Sequence, residues 1–162
     1  MVKIKSKSST TYISKEYEGP IEELPFKEYM KDLKKWAKKN KAKPYGKPTA
    51  FYINDFDQAS DQNFRADIAK PIKKLRKGGG GYKLKFLPRI QVATRNFKGT
   101  PADYPEAYKE IYDFIEEKGY QAFGQRMEKF KKIPKKEEGE FRIKSVLQVP
   151  IQVPDRIPKK ER

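Results

Sequence analysis

An α+β fold is expected, built from two strand-helix-strand-strand repeats with pseudo-two-fold symmetry, their antiparallel sheet carrying both helices on one face. Internal repetition is the first observation behind it. Met1-Val2-Lys3-Ile4-Lys5 is echoed by Gly81-Tyr82-Lys83-Leu84-Lys85, and residues 12–19 by 92–99, both at an offset of 80. The offset becomes 78 where Trp36-Ala37 answers Phe114-Ile115 and Gly46 answers Gly124, then 79 where Pro71-Ile72 answers Pro150-Ile151. The second observation is an amphipathic helical stripe in each copy. The third is β-prone sequence on both sides of each stripe. Two copies of one unit folded against each other create a seam, which is a natural place for a ligand.

The first repeat, residues 2–72, begins with a strand over 10–17 that Gly19-Pro20 ends. Pro25 opens a helix, because proline is tolerated in the first turn. Phe26, Tyr29, Met30, Leu33, Trp36 and Ala37 then recur at spacings of three and four, one apolar stripe. Asn40 is a left-handed stop. Strands are expected over 49–53 and 64–71, with a turn over 54–61 between them. Residues 73–81 form the linker, whose four glycines, Gly78 to Gly81, read as a flexible joint. The second repeat, residues 82–151, has strand material over 84–97, broken near Pro88. Asp103 can cap a helix that carries Pro105 in its first turn. The stripe Ala107, Tyr108, Ile111, Tyr112, Phe114 and Ile115 follows, and Gly119 stops it. Strands near 120–130 and 141–151 complete a single domain over 1–153. The charged tail, 154–162, is expected to fray. The first helix is basic, with seven lysines and two acids in residues 25–41; the second is acidic, with two lysines and five acids in 105–119.

With 162 residues, 36 % hydrophobic and 13 % aromatic, the chain has enough apolar mass for a core. Cys and His are absent, which excludes disulfides, thiolate metal sites and imidazole-based triads. No apolar run approaches the roughly 20 residues of a membrane helix, and the first residues lack a signal-peptide core. A cytoplasmic protein without a membrane partner or a cofactor is expected. The net charge of +16 attracts polyanions; its lysines are scattered, so the expected nucleic-acid binding is weak and non-specific. Asp55, Asp57 and Asp61 lack the glycine and bidentate glutamate of a calcium loop, and no metal site is expected. The glycine run is not followed by the Gly-Lys-Ser/Thr of a phosphate loop.

Seven segments resemble the GyrI-like family of small-molecule-binding proteins, which includes the effector-binding domains of AraC- and MerR-type multidrug regulators. They are Tyr17-Glu18-Gly19-Pro20-Ile21-Glu22-Glu23, Leu33-Lys34-Lys35-Trp36-Ala37, Tyr52-Ile53-Asn54-Asp55, Arg65-Ala66-Asp67-Ile68-Ala69-Lys70-Pro71-Ile72, Tyr104-Pro105-Glu106-Ala107-Tyr108, Glu117-Lys118-Gly119-Tyr120 and Gln148-Val149-Pro150-Ile151. Tyr104 to Tyr108 carries the closest likeness. The resemblance implies a duplicated fold of the SOUL/SHS2 type with a ligand in the cleft between the repeats. It also implies a glutamate on the final strand, where this chain has Val146; the first repeat keeps an acid, Asp67, at the corresponding place. Valine can neither pair with a cation nor move a proton, so catalysis is not expected.

The expected groove is lined by Tyr29, Trp36, Phe51, Tyr108, Tyr112 and Phe123, with Asp67, Val146 and Gln148 on the closing strands of the two repeats. It would hold a planar apolar or cationic small molecule by aromatic contact, in a sensing or sequestering protein with a protein partner to receive its signal. Two other classes stay open. One is a basic protein- or nucleic-acid-interaction module, as in gyrase-inhibiting members. The other is a hydrolase of strained small electrophiles.

Overall fold

The computed structural model describes residues 1–53, 64–74 and 77–153. The expected turn at 54–61, the three aspartates in it and the tail lie wholly outside these residues. Ten strands and two long helices follow in the order β1 (Lys3–Lys7), β2 (Thr10–Gly19), α1 (Phe26–Lys39), β3 (Thr49–Tyr52), β4 (Phe64–Ile72), β5 (Lys83–Leu87), β6 (Ile90–Gly99), α2 (Tyr104–Glu117), β7 (Gln121–Ala122), β8 (Met127–Phe130), β9 (Lys135–Glu137) and β10 (Glu140–Gln152). The antiparallel sheet runs β1-β6-β10-β8-β3-β4-β2-β5, and the fold is α+β as expected.

The end strands of that path run on into strands inside it. β1 runs into β2 through Ser8-Ser9, and β5 into β6 through Pro88-Arg89. Pairing along these two bent strands keeps one register, from Lys3 against Thr94 through Lys7 against Ile90 to Thr10 against Leu87 and Ser14 against Lys83. The sheet therefore curls until its ends meet, and among the described residues β1 and β5 each keep one side without a strand partner. The registers also answer one another at the sequence offsets. Thr11 faces Ile72 as Gln91 faces Ile151, and Thr49 faces Ala69 as Met127 faces Gln148. β3 and β8 meet in the middle, Ala50 against Glu128.

Alternation along the strands divides the apolar residues into two clusters. The larger lies under the helices. α1 contributes Phe26, Met30, Leu33 and Ala37, and α2 contributes Tyr104, Ala107, Tyr108, Ile111 and Ile115. The sheet answers with Ile13, Ala50, Tyr52, Ile68, Phe130, Leu147 and Val149. The smaller cluster, Tyr12, Phe51, Ala69, Val92 and Met127, lies on the other face.

Three local expectations are corrected. Asn40 has φ −97° and donates its side-chain amide to the Trp36 carbonyl at 2.9 Å; the left-handed residues are Lys41 and Lys43. Asp103 holds the N-cap position of α2 but makes no side-chain cap bond there. Its carboxylate turns back to accept the Thr100 backbone N–H at 2.9 Å, and the helix begins at Tyr104. The glycine run is no loose joint. Gly79 and Tyr82 exchange backbone hydrogen bonds of 2.9 and 3.1 Å around Gly80 and Gly81, both at positive φ, a two-residue hairpin turn that only such residues form readily.

Candidate functional site: a buried glutamate under a tyrosine wall

β8 alternates Met127, Glu128, Lys129 and Phe130. Its register places Glu128 and Phe130 on the helix face, and Met127 and Lys129 on the other. Glu128 thus stands as a charged residue within the main core, 0 % exposed. An isolated buried carboxylate is costly and needs hydrogen bonds. Four approach it. Tyr104, the first residue of α2, reaches Oε1 and Oε2 at 2.8 and 2.9 Å. Ser145 of β10 donates to Oε2 at 2.5 Å, and the Tyr52 hydroxyl of β3 donates to Oε1. Burial pushes the Glu128 pKa up to about 7, against the pull of the Ser145, Tyr52 and Tyr104 hydrogen bonds. Burial, reinforced by the nearby Glu128 charge, raises both tyrosine pKa values well above 10, so the phenols stay protonated donors. Ring packing fixes the group: Phe97 stacks on Tyr104 with centroids 4.8 Å apart, and Phe26 meets Phe130 edge-on at 4.8 Å.

A second buried charge sits just before β8. Arg126 is 8 % exposed. Its guanidinium carbon lies 4.3 Å from the Tyr108 ring centre and 5.0 Å from that of Tyr112, and its Nε donates to the Tyr112 hydroxyl at 2.9 Å.

The residues expected to share one groove are distributed over several places. Tyr108 and Tyr112 do lie together on α2, with Arg126 against them. Tyr29 belongs to the flank of α1: its hydroxyl donates to the Glu16 carbonyl at 2.9 Å, and Lys15 Nζ lies 4.7 Å from its ring centre. Trp36 packs beside Tyr82, centroids 6.0 Å apart. Phe51, Asp67, Val146 and Gln148 are on the face away from the helices, as their pairing with Met127, Glu16, Lys129 and Met127 requires. Asp67 there forms ion pairs with Lys83 and Lys85 at 3.2 and 3.6 Å. Gln148 Oε1 is buried there with no hydrogen-bond partner among the described residues. Phe123 is 46 % exposed and lines a shallow hollow with Arg89, Ile90 and Ile151. A glutamate at position 146 would point to that other face as well; the helix face receives its carboxylate from β8. Sequence reasoning passed over Glu128 and Arg126. The signal was present: a charged residue alternating in register with Phe130, in a strand whose counterpart 78 residues earlier carries Ala50.

Among the described residues no group of His, Cys, Asp or Glu could hold a metal ion, and no helix is long and apolar enough to cross a membrane.

The fold is thus a curled antiparallel sheet with two helices on one face. The chain belongs to the GyrI-like family: residues 1–152 match the GyrI-like small molecule binding domain. The C-terminal domain of EcmrR superposes with a TM-score of 0.62 at 19 % identity, covering 94 % of this chain and 97 % of that one. EcmrR in its complex with DNA gives 0.64 at 17 % identity over 94 % of this chain, which spans only 57 % of that protein's length. A hydrolase from Listeria innocua gives 0.66 at 11 % identity, with 93 % and 91 % covered. SAV2435 bound to tetraphenylphosphonium gives 0.53 at 8 % identity, with 94 % of each chain covered. At these identities the likeness is one of fold. No curated protein matches the sequence.

Proposed function

We propose that this protein binds a planar, largely apolar small molecule on the helix side of its sheet, with Tyr108 and Tyr112 as the wall and Glu128 as the polar anchor. In this reading the domain comprises two repeats, 2–72 and 82–151, related by a two-fold that passes through the Ala50–Glu128 pair. Its role is that of an effector-binding domain, sensing or sequestering the ligand. The observation that carries the reading is Glu128, a carboxylate kept in the core by Tyr52, Tyr104 and Ser145. A protein gains no stability from such a group relative to an apolar residue, and a buried group with convergent polar partners and a displaced pKa points to a functional site. Kinship to the EcmrR C-terminal fold is in accord. Thermal unfolding against a panel of planar aromatic compounds tests it. At about a hundredfold excess over its dissociation constant, a ligand adds about 3 kcal/mol of stability. At least one compound is expected to raise the wild-type Tm and to lose that effect on Glu128→Ala; a panel inert towards the wild type counts against the reading.

Hydrolysis of small electrophiles is the second reading. Glu128, with its pKa near 7, is matched to proton transfer at neutral pH. Turnover of strained electrophiles that persists unchanged in Glu128→Gln would rule this out.

A further inference from the structure

The tyrosine pair on α2 already has an occupant. A desolvated cation over the face of a tyrosine, or between two of them, is the arrangement by which aromatic cages hold cationic ligands. Here the cation is Arg126, at 4.3 and 5.0 Å from the two ring centres and tied to the Tyr112 hydroxyl. Its backbone is fixed too: the Arg126 carbonyl accepts the Tyr52 N–H at 3.0 Å, and Gln125 Nε2 donates to the Tyr52 carbonyl at 3.1 Å. Nothing in the duplication demands this residue. At the corresponding place 78 positions earlier the chain has Pro48, and opposite Tyr108 and Tyr112 it has Met30 and Lys34.

We propose that Arg126 is a specificity-determining residue: it fills the cation position on Tyr108 and Tyr112 with the chain's own guanidinium, so the site takes neutral planar ligands and rejects organic cations. The proposal rests on the reading of this wall as a ligand site. An incoming cation has to displace Arg126 from both rings, or lie beside a like charge in a poorly solvated place. A neutral planar molecule meets no such penalty. It can lie against the flat guanidinium, which stacks on aromatic faces as an ammonium does not.

Calorimetric titration with planar N-methylacridinium and with neutral acridine tests the idea on wild type, Arg126→Leu and Tyr112→Phe. Arg126→Leu opens the cage while keeping bulk. It is expected to bind the acridinium roughly tenfold more tightly than wild type, the size of one cation–π contact, with acridine affinity changed by less than about threefold. Tyr112→Phe keeps both rings and removes only the hydroxyl that holds Nε. It is expected to shift acridinium affinity the same way by a smaller factor, and it stands in if Arg126→Leu does not fold. Wild type that binds the acridinium as tightly as both variants overturns the inference while leaving the ligand site standing, provided acridine binds. If neither compound binds any of the three proteins, the tyrosine wall is not a ligand site, and both readings fall.

Discussion

Glu128 is held where ionisation costs free energy, and this has a measurable consequence. Its ordinary carboxyl value is 4.5; in the folded protein it is about 7. Folding therefore favours the protonated form. The contribution is fully present below about pH 4.5 and is lost as pH rises through 7, a change of about 3 kcal/mol across that window. Glu128→Gln keeps an acceptor for Tyr52 and Tyr104 and does not titrate. Urea unfolding at pH 5 and pH 8 should show wild type losing stability relative to this variant as pH rises. Parallel profiles for the two proteins would mean that the carboxyl is better solvated than its burial indicates. Why Glu128 escaped sequence reasoning is physical. A lone acid in a short strand reads as a solvent-facing residue, and only the register of β8 between β3 and β10 turns it inward. The same parity turns Val146 to the opposite face of the sheet, since one residue decides the face of a strand.

At the scale of elements, helices were the most legible parts. The expected start at Pro25 and stop near Asn40 agree with α1 at Phe26–Lys39, and Gly119 at φ +76° follows α2. Spacing alone identified the stripes, yet it did not separate their centres from their flanks. Leu33 is completely buried, whereas Trp36 and Tyr29 sit at the margin, where Lys15 joins Asp32 of α1 at 3.1 Å. The second half repeats that contact as Arg95 with Glu110 of α2 at 2.5 Å. The strands at β2, β3, β4 and β10 and the break near Pro88 were also readable, but β1, β9 and the division of 120–130 into two short strands were not, because they depend on long-range pairing. These differences give a test. Leu33→Ala leaves a cavity beneath α1 and should cost about 3 kcal/mol. Trp36→Phe, at the margin, should cost less than about 1.5 kcal/mol and leave any ligand that acts through Glu128 with unchanged affinity. Chemical denaturation and the same thermal shift panel measure both. Loss of ligand response in Trp36→Phe would return Trp36 to the binding wall.

The whole molecule carries +16 on a small surface, and the structure puts some of that charge in crowded places. Burial lowers the Lys7 pKa, and Lys129 lowers it further; burial does the same to Lys70, helped by Lys34 and Lys47. Another group of cations, Lys98, Lys132, Lys135, Arg142 and Lys144, surrounds a small hollow beside β9 and β10. Among the described residues, Arg142 has Glu140 at 2.6 Å and Lys135 has Glu137 at 3.5 Å. Charges spread this way repel one another and attract any polyanion without reading its sequence. Two outcomes are expected from raising the salt from about 50 to about 200 mM. The Tm should rise, because screening relieves the repulsion. Binding to duplex DNA should fall steeply and equally for unrelated sequences, since released counterions supply nearly all of such affinity. Fluorescence anisotropy with two unrelated duplexes and a single strand reads the second outcome. Retention of one of them at physiological salt would show a built nucleic-acid surface, and the excess lysine would then serve recognition rather than mere attraction.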